Sequence, residues 1–109
     1  MLETLVGSRS CEQVLLFISV REEGYPREIA RFFAVDYRPI RNQLDRLEIG
    51  GILRSRSVGR TRLYSFNPRC PYLTELKGLL VKVMTFCPED LKEKLVMKII
   101  YSQIDENLE

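Results

Sequence analysis

REIARFFAVDYRPIRNQLDRLEIGGIL, residues 27–53, is the stretch that decides the fold. Its apolar residues keep a helical period on either side of one break. Ile29, Ala30, Phe32 and Phe33 are the candidate contacts of a short helix over Arg27–Phe33. Pro26 precedes it, in a first turn where the missing N–H costs nothing. Ile40, Leu44 and Leu47 recur at i, i+4 and i+7 and predict a longer helix from Tyr37 to Ile49. Between the two lies a tight break, Ala34-Val35-Asp36. The Asp36 carboxylate is expected to cap the second helix by accepting its free N–H groups. Pro39 falls in the first turn, where it does little harm, and Gly50-Gly51 closes the helix. The other face of this helix carries Arg38, Arg41, Asn42, Asp45 and Arg46.

On the N-terminal side, residues 9–23 read as a helix. Val14, Phe17 and Ile18 form its apolar stripe, Leu15 and Leu16 widen it, and Gly24 ends it. On the C-terminal side the period shortens from 3.6 to 2. Ile52–Val58 and Arg62–Phe66 read as strands joined at Gly59-Arg60-Thr61, a hairpin that Asn67-Pro68 stops. Pro71 opens another helical pattern through Leu73, Leu76, Leu79, Leu80, Val83 and Met84. Cys87-Pro88 interrupts it, and Leu91, Leu95, Ile99 or Ile100, and Ile104 mark a last segment. Residues 97–109 read equally as helix or strand. The expected core is Val14, Phe17, Ile18, Ile29, Phe33, Val35, Ile40, Leu44, Leu47, Leu53, Tyr64 and Phe66.

At 109 residues the chain suits one domain, and 45% hydrophobic with 29% charged residues is an ordinary globular balance. It has no histidine and no tryptophan. A His-dependent triad, a His-ligated metal centre and a zinc finger with histidine ligands are therefore excluded. Cys11, Cys70 and Cys87 are widely spaced, without a CxxC, which argues against a disulfide framework. The first eight residues have neither a basic start nor a long apolar run, so no secretory signal is expected. No apolar run approaches the length of a membrane span. A reducing cytoplasm is the expected location, without membrane contact.

Charge is unevenly spread. Residues 37–69 hold eight arginines and no lysine against Asp45 and Glu48, a local charge of +6 in a chain of net +2. Residues 1–36 sum to −2 and residues 88–109 to −3. The excess positive charge thus sits on the longer helix and the hairpin. The planar fork of arginine matches phosphates and guanine edges.

The order helix, short helix, tight turn, helix, hairpin resembles a winged helix-turn-helix domain. Arg27-Glu28-Ile29-Ala30-Arg31, Val35, and Leu44-Asp45-Arg46-Leu47-Glu48-Ile49-Gly50-Gly51-Ile52-Leu53 are similar to the pattern of ArsR-like regulators. Arg62-Leu63-Tyr64-Ser65-Phe66-Asn67-Pro68 resembles the second wing strand of that group. The resemblance runs from about Ser8 to Leu80. It implies a mainly α fold with a small β-wing (α+β) of two strands, which a third short strand can join. Residues 8–69 would form the winged helix-turn-helix domain and residues 70–109 a C-terminal helical segment for dimerisation. The chain departs from the pattern at Ala34, where Gly is common, and at Tyr37, Arg38 and Pro39, where small polar residues are common. Without histidine or paired cysteines, metal sensing does not carry over, and no cofactor and no metal are expected. A thiol sensor at Cys11, Cys70 or Cys87 is the remaining sensing alternative.

What the resemblance implies is a sequence-specific DNA-binding transcriptional regulator. Repression is its expected mode and double-stranded DNA its partner, bound by a homodimer. The longer helix would enter the major groove. Arg41 would address guanine O6 and N7, and Asn42 adenine N6 and N7. Tyr37 and Arg38, nearer the helix start, would meet phosphates. Asp45 would either accept from cytosine or orient Arg41 from i+4. Arg46 is expected in a surface ion pair with Asp45's neighbours or Glu48. Arg60, at the wing tip, and Arg56 and Arg62 on its flanks would reach a minor groove or its phosphates, with Arg54 too near the strand base.

Two other readings compete. One is a winged-helix protein-interaction module without DNA binding. Met97-Lys98-Ile99-Ile100-Tyr101-Ser102 resembles the first strand of nucleotidyltransferases that follow some winged helices, so such a module would partner or derive from a nucleotidyltransferase-linked protein. Tyr101 or Gln103 stands where that strand needs Gly, and no acidic pair follows, so no transferase activity is expected. The other is an enzyme, which the missing histidine, phosphate loop and carboxylate pair all oppose. The chain is expected not to be an enzyme.

Overall fold

The computed structural model describes residues 6–85. Helix α1 (Arg9–Arg21) starts at Ser8, whose hydroxyl accepts the Cys11 N–H at 3.0 Å. It ends two residues short of the expected boundary, because Glu22 turns into a positive φ of 70°. Glu23–Gly24 then form a short strand, β1. Gly24 is required there: a Cβ would stand 2.8 Å from the Phe17 ring.

Helix α2 (Pro26–Phe33) begins with Pro26 in its first turn, and the Glu28 carboxylate accepts the Tyr25 N–H at 3.3 Å. Ala34 ends it in the left-handed region, φ 55° and ψ 46°. There the Val35 N–H reaches back to the Ala30 carbonyl at 3.0 Å. Helix α3 runs Tyr37–Ile49, with the boundaries its apolar period predicts. Asp36 has the extended backbone of an N-cap, but its side chain makes no capping hydrogen bond. The expected carboxylate cap is therefore corrected: backbone geometry alone starts this helix.

Strands β2 (Leu53–Val58) and β3 (Thr61–Phe66) pair antiparallel, and β1 joins the other edge of β3, giving the order β1-β3-β2. The register sets Ser55 opposite Tyr64 and Gly24 opposite Tyr64 on the other side. The third strand is thus present. Alternation places Leu53, Ser55, Arg62 and Tyr64 on one face of the hairpin and Arg54, Arg56, Leu63 and Ser65 on the other. Asn67 closes the sheet, its N–H bonded to the Ile52 carbonyl at 2.9 Å. Helix α4 spans Leu73–Thr85.

Phe17, Ile18, Ile29, Ile40, Leu44, Leu53 and Tyr64 are fully buried and join α1, α2, α3 and the sheet into one core. Phe17 and Phe32 meet edge to face at 5.5 Å. Three expected core residues differ. Val35 is 40% exposed, because the left-handed turn at Ala34 throws it outward. Phe33 and Phe66 are only half-buried against the core, and Phe32 is the phenylalanine of α2 that fills it. Cys11, Leu15, Leu16 and Ala30 are buried as well, so α1 is covered over much more than one stripe.

The apolar stripe of α4 also differs from its expected role. Leu80 and Val83 are buried in the chain's own core, with Leu76 and Met84 packed against it. Leu80 and Val83 thus lie in the core of this chain, while Leu76 and Met84 are only half-buried. Leu79 and Val81 remain exposed. Cys87, Pro88, Leu91, Leu95, Ile99 and the segment 97–109 lie outside the described residues. No helix among the described residues is long and apolar enough to cross a membrane.

Candidate nucleic-acid interface

The buried stripe Ile40, Leu44, Leu47 fixes which way α3 faces. Arg38 and Asn42 fall on its exposed side, one turn apart, with no hydrogen bond or ion pair among the described residues. Arg41, between those two faces, keeps 42% of its side chain exposed. Its Nε donates to both carboxylate oxygens of Asp45 at 3.3 Å, and its NH1 donates to the Tyr37 hydroxyl at 3.0 Å. The Tyr37 hydroxyl and the Asp45 carboxylate hold the guanidinium protonated well above its ordinary range. Asp45 therefore orients Arg41, the second of its two expected roles.

Asp45 is itself held from the sheet. The Tyr64 hydroxyl donates to its Oδ1 at 2.9 Å, across 19 residues of sequence. Burial, then the hydrogen bond to Asp45, pushes the Tyr64 phenol up to about 12. A parallel link runs beside it. The Arg62 Nε donates to the Ser55 hydroxyl at 3.1 Å, and that hydroxyl donates to Glu48 on α3. Two side-chain chains thus tie α3 to the inner face of the wing.

A cleft of about 530 Å³ opens between the start of α3 and the wing tip. Pro26, Arg27, Tyr37, Arg41, Arg60, Thr61 and Arg62 line it. Four arginines from three separate elements converge there, Arg41 paired with Asp45 and the other three without an ion pair among the described residues. Such a concentration of like charge is stable in water only because it is open, and it attracts an anion. The Arg27 guanidinium lies over the Tyr37 ring at 4.6 Å from its centroid.

Of the expected contact residues, Tyr37, Arg41, Arg60 and Arg62 come together in this cleft, while Arg38 and Asn42 are exposed on α3 outside its lining. Arg56 does not join them. It lies on the opposite face of the hairpin, 3.8 Å from Glu23 of β1. Arg54 shares that far face, near the strand base. The expected ion pair of Arg46 is corrected: its NH1 bonds the Gln43 side-chain oxygen at 3.3 Å, since Glu48 is taken by Ser55.

Two residues escaped the sequence reading. Arg27 appeared as the start of a helix and of the family-like motif but not as a contact residue, although its place beside Pro26, one residue into α2, was the signal. Tyr64 was assigned to the core, and its hydroxyl partner 19 residues away has no sequence mark. As for the thiols, Cys11 and Cys70 are both buried. Burial pushes the Cys11 thiol up, with Arg46 only partly opposing, the reverse of a reactive cysteine. Among the described residues no group of three metal-ligating side chains could hold an ion.

No protein-family model matches the chain, and no curated protein matches it by sequence. Solved structures do. The DNA-bound structure of reduced AbfR superposes with a TM-score of 0.58 at 16% identity, covering 98% of this chain and 76% of that one. A cysteine-to-serine mutant of MarR from E. coli gives 0.58 at 20% identity, covering 98% and 79%. A mutant of ZitR from Lactococcus lactis in its apo form gives 0.55 at 14% identity, covering 99% and 89%. At these identities the likeness shows the fold, a winged helix shared with MarR-type proteins.

Proposed function

We propose that this chain is a sequence-specific DNA-binding transcriptional regulator, acting as a repressor by occupying its site. The observation that carries the reading is the cleft in which Arg27, Arg41, Arg60 and Arg62 converge between α3 and the wing. When α3 lies in the major groove and the wing tip over the neighbouring minor groove, the sugar-phosphate strand between the grooves runs through that cleft. Arg38 and Asn42 then face bases or flanking phosphates, and Arg56 contributes only if its pair with Glu23 opens. That AbfR was solved on DNA with the same fold supports the reading. The ArsR-like motif in residues 27–53 argues for that subfamily, while the superposed structures are MarR-type proteins.

We further propose that residues 8–69 form the reading unit and that two copies associate through residues 70–109. Leu79 and Val81 are the exposed apolar side chains of α4 available to that contact. A two-fold dimer would set two α3 helices about one DNA turn apart. The charge distribution disfavours a pure protein-interaction module, which has no use for an open arginine cleft, and it supports a non-enzymatic role inside the cell.

Titration of a fluorescent random-sequence duplex by anisotropy tests the reading. Binding should weaken with salt along a log–log line of slope about 0.9 per phosphate contacted. No binding at low salt would overturn it and leave the interaction module.

A further inference from the structure

Arg41 is an unusual side chain for a surface said to bind DNA. Bases and phosphates compete for any arginine, and phosphates are more numerous and carry full charge. Here the Arg41 guanidinium is committed before any ligand arrives. Asp45 takes its Nε and Tyr37 takes one NH1 hydrogen. Of the five donors of a guanidinium, three remain, on the terminal edge that pairs end-on with guanine O6 and N7. The Asp45 carboxylate cancels much of the local charge and repels a phosphate approaching the same spot. That carboxylate could swing away with the rest of α3's surface, but the Tyr64 hydroxyl pins its Oδ1 at 2.9 Å. Tyr64 cannot move in turn, because its ring is fully buried in the core. The chain of restraint therefore runs from the core, through the wing strand, to the exposed guanidinium.

We propose that Tyr64 and Asp45 are specificity-determining positioning residues, which hold Arg41 in one pose and withhold its charge from phosphates so that it reads a base edge. Neither touches DNA. The inference rests on the DNA-binding reading above and adds to it a division of labour: Arg27, Arg60 and Arg62 hold the backbone, and Arg41 is reserved for sequence.

The test uses the full chain and a duplex pool randomised over one binding site's length. Wild type selects an enriched duplex, and the affinity ratio of that duplex to the unselected pool is measured for Tyr64→Phe and Asp45→Asn. Tyr64→Phe keeps the buried ring and loses only the hydroxyl. Its ratio should fall about tenfold, the equivalent of about 1.4 kcal/mol. A merely structural loss would weaken both duplexes alike, lower the melting midpoint and leave the ratio unchanged. Asp45→Asn should lower the ratio too. It should also steepen the salt dependence on the unselected pool by up to about 0.9, as the freed Arg41 takes a phosphate. Wild-type ratios in both variants overturn the inference while DNA binding stands. A wild type that binds no duplex, or enriches none, overturns the functional reading and this inference with it.

Discussion

Helix α3 and the wing tip carry the same side chain in opposite circumstances. Arg41 on α3 has three hydrogen bonds and a buried phenol behind its carboxylate partner. Arg60 in the wing turn has no hydrogen bond or ion pair among the described residues, and it is exposed on a two-residue turn beside Gly59. Recognition of a base edge needs a donor fixed in direction, and fixing it before binding avoids paying the ordering cost at the interface. A phosphate accepts from many directions and rewards reach. The contrast therefore separates a preorganised arginine from an unrestrained one within a single cleft.

The largest effect expected is on the scaffold that makes the contrast possible. Leu44→Ala removes a fully buried side chain from the face of α3 that packs on the core. It should cost about 2–5 kcal/mol in a urea or guanidinium denaturation curve, and a loss under about 0.5 kcal/mol would mean that α3 is seated differently. Next come the two arginines themselves. Arg41→Ala should relax sequence preference by about 1–3 kcal/mol per lost bidentate contact. Arg60→Ala should instead weaken every duplex alike and lower the salt slope by about 0.9. Identical behaviour of the two variants would erase the comparison.

An alkaline titration sharpens it. The folded Tyr64 phenol stands at about 12 against 10 for a free tyrosine. A raised folded value favours the protonated form in the native state. Its contribution to stability is therefore complete below pH 10 and is lost as pH rises toward 12. The fall in melting midpoint over that window should be smaller in Tyr64→Phe. The smallest effect is at the turn before α3. Ala34 sits at φ 55°, a region where a side chain is strained and glycine is not. Ala34→Gly should raise stability by about 0.5–1 kcal/mol, measured by the same denaturation curve. Equal or lower stability would show that the added freedom of the unfolded chain outweighs the relief.

Most of the fold was legible in residues 27–66. Ile40, Leu44 and Leu47 repeat at a spacing only a helix can bury on one side, and the alternation through the hairpin has only one inward face. The errors fall where local pattern and tertiary demand part. Asp36 has capping chemistry, yet the backbone turn at Ala34 starts α3 without it. Leu80 and Val83 read as a free apolar stripe, because sequence shows that a face must be covered and not by what. The core took them to cover α1. In the site, the arginine-rich helix and wing were visible as charge, and the Arg41–Asp45 pair as an i+4 spacing. The convergence of Arg27 with the wing was not visible, since those residues are some 30 positions apart.

By itself, then, the sequence determined the periods, the breaks and the sign of the surface charge, all properties that act within one or two turns of chain. Only the tertiary structure decided which of the chain's twelve arginines share a cleft, which one faces Glu23 on the back of the wing, and which one is held still. Those outcomes depend on the strand register that sets Tyr64 against Ser55 and aims its hydroxyl at α3. A one-residue slip would turn that hydroxyl to the other face of the sheet. Register is settled by the sum of core contacts across the whole domain, which no local stretch of sequence contains.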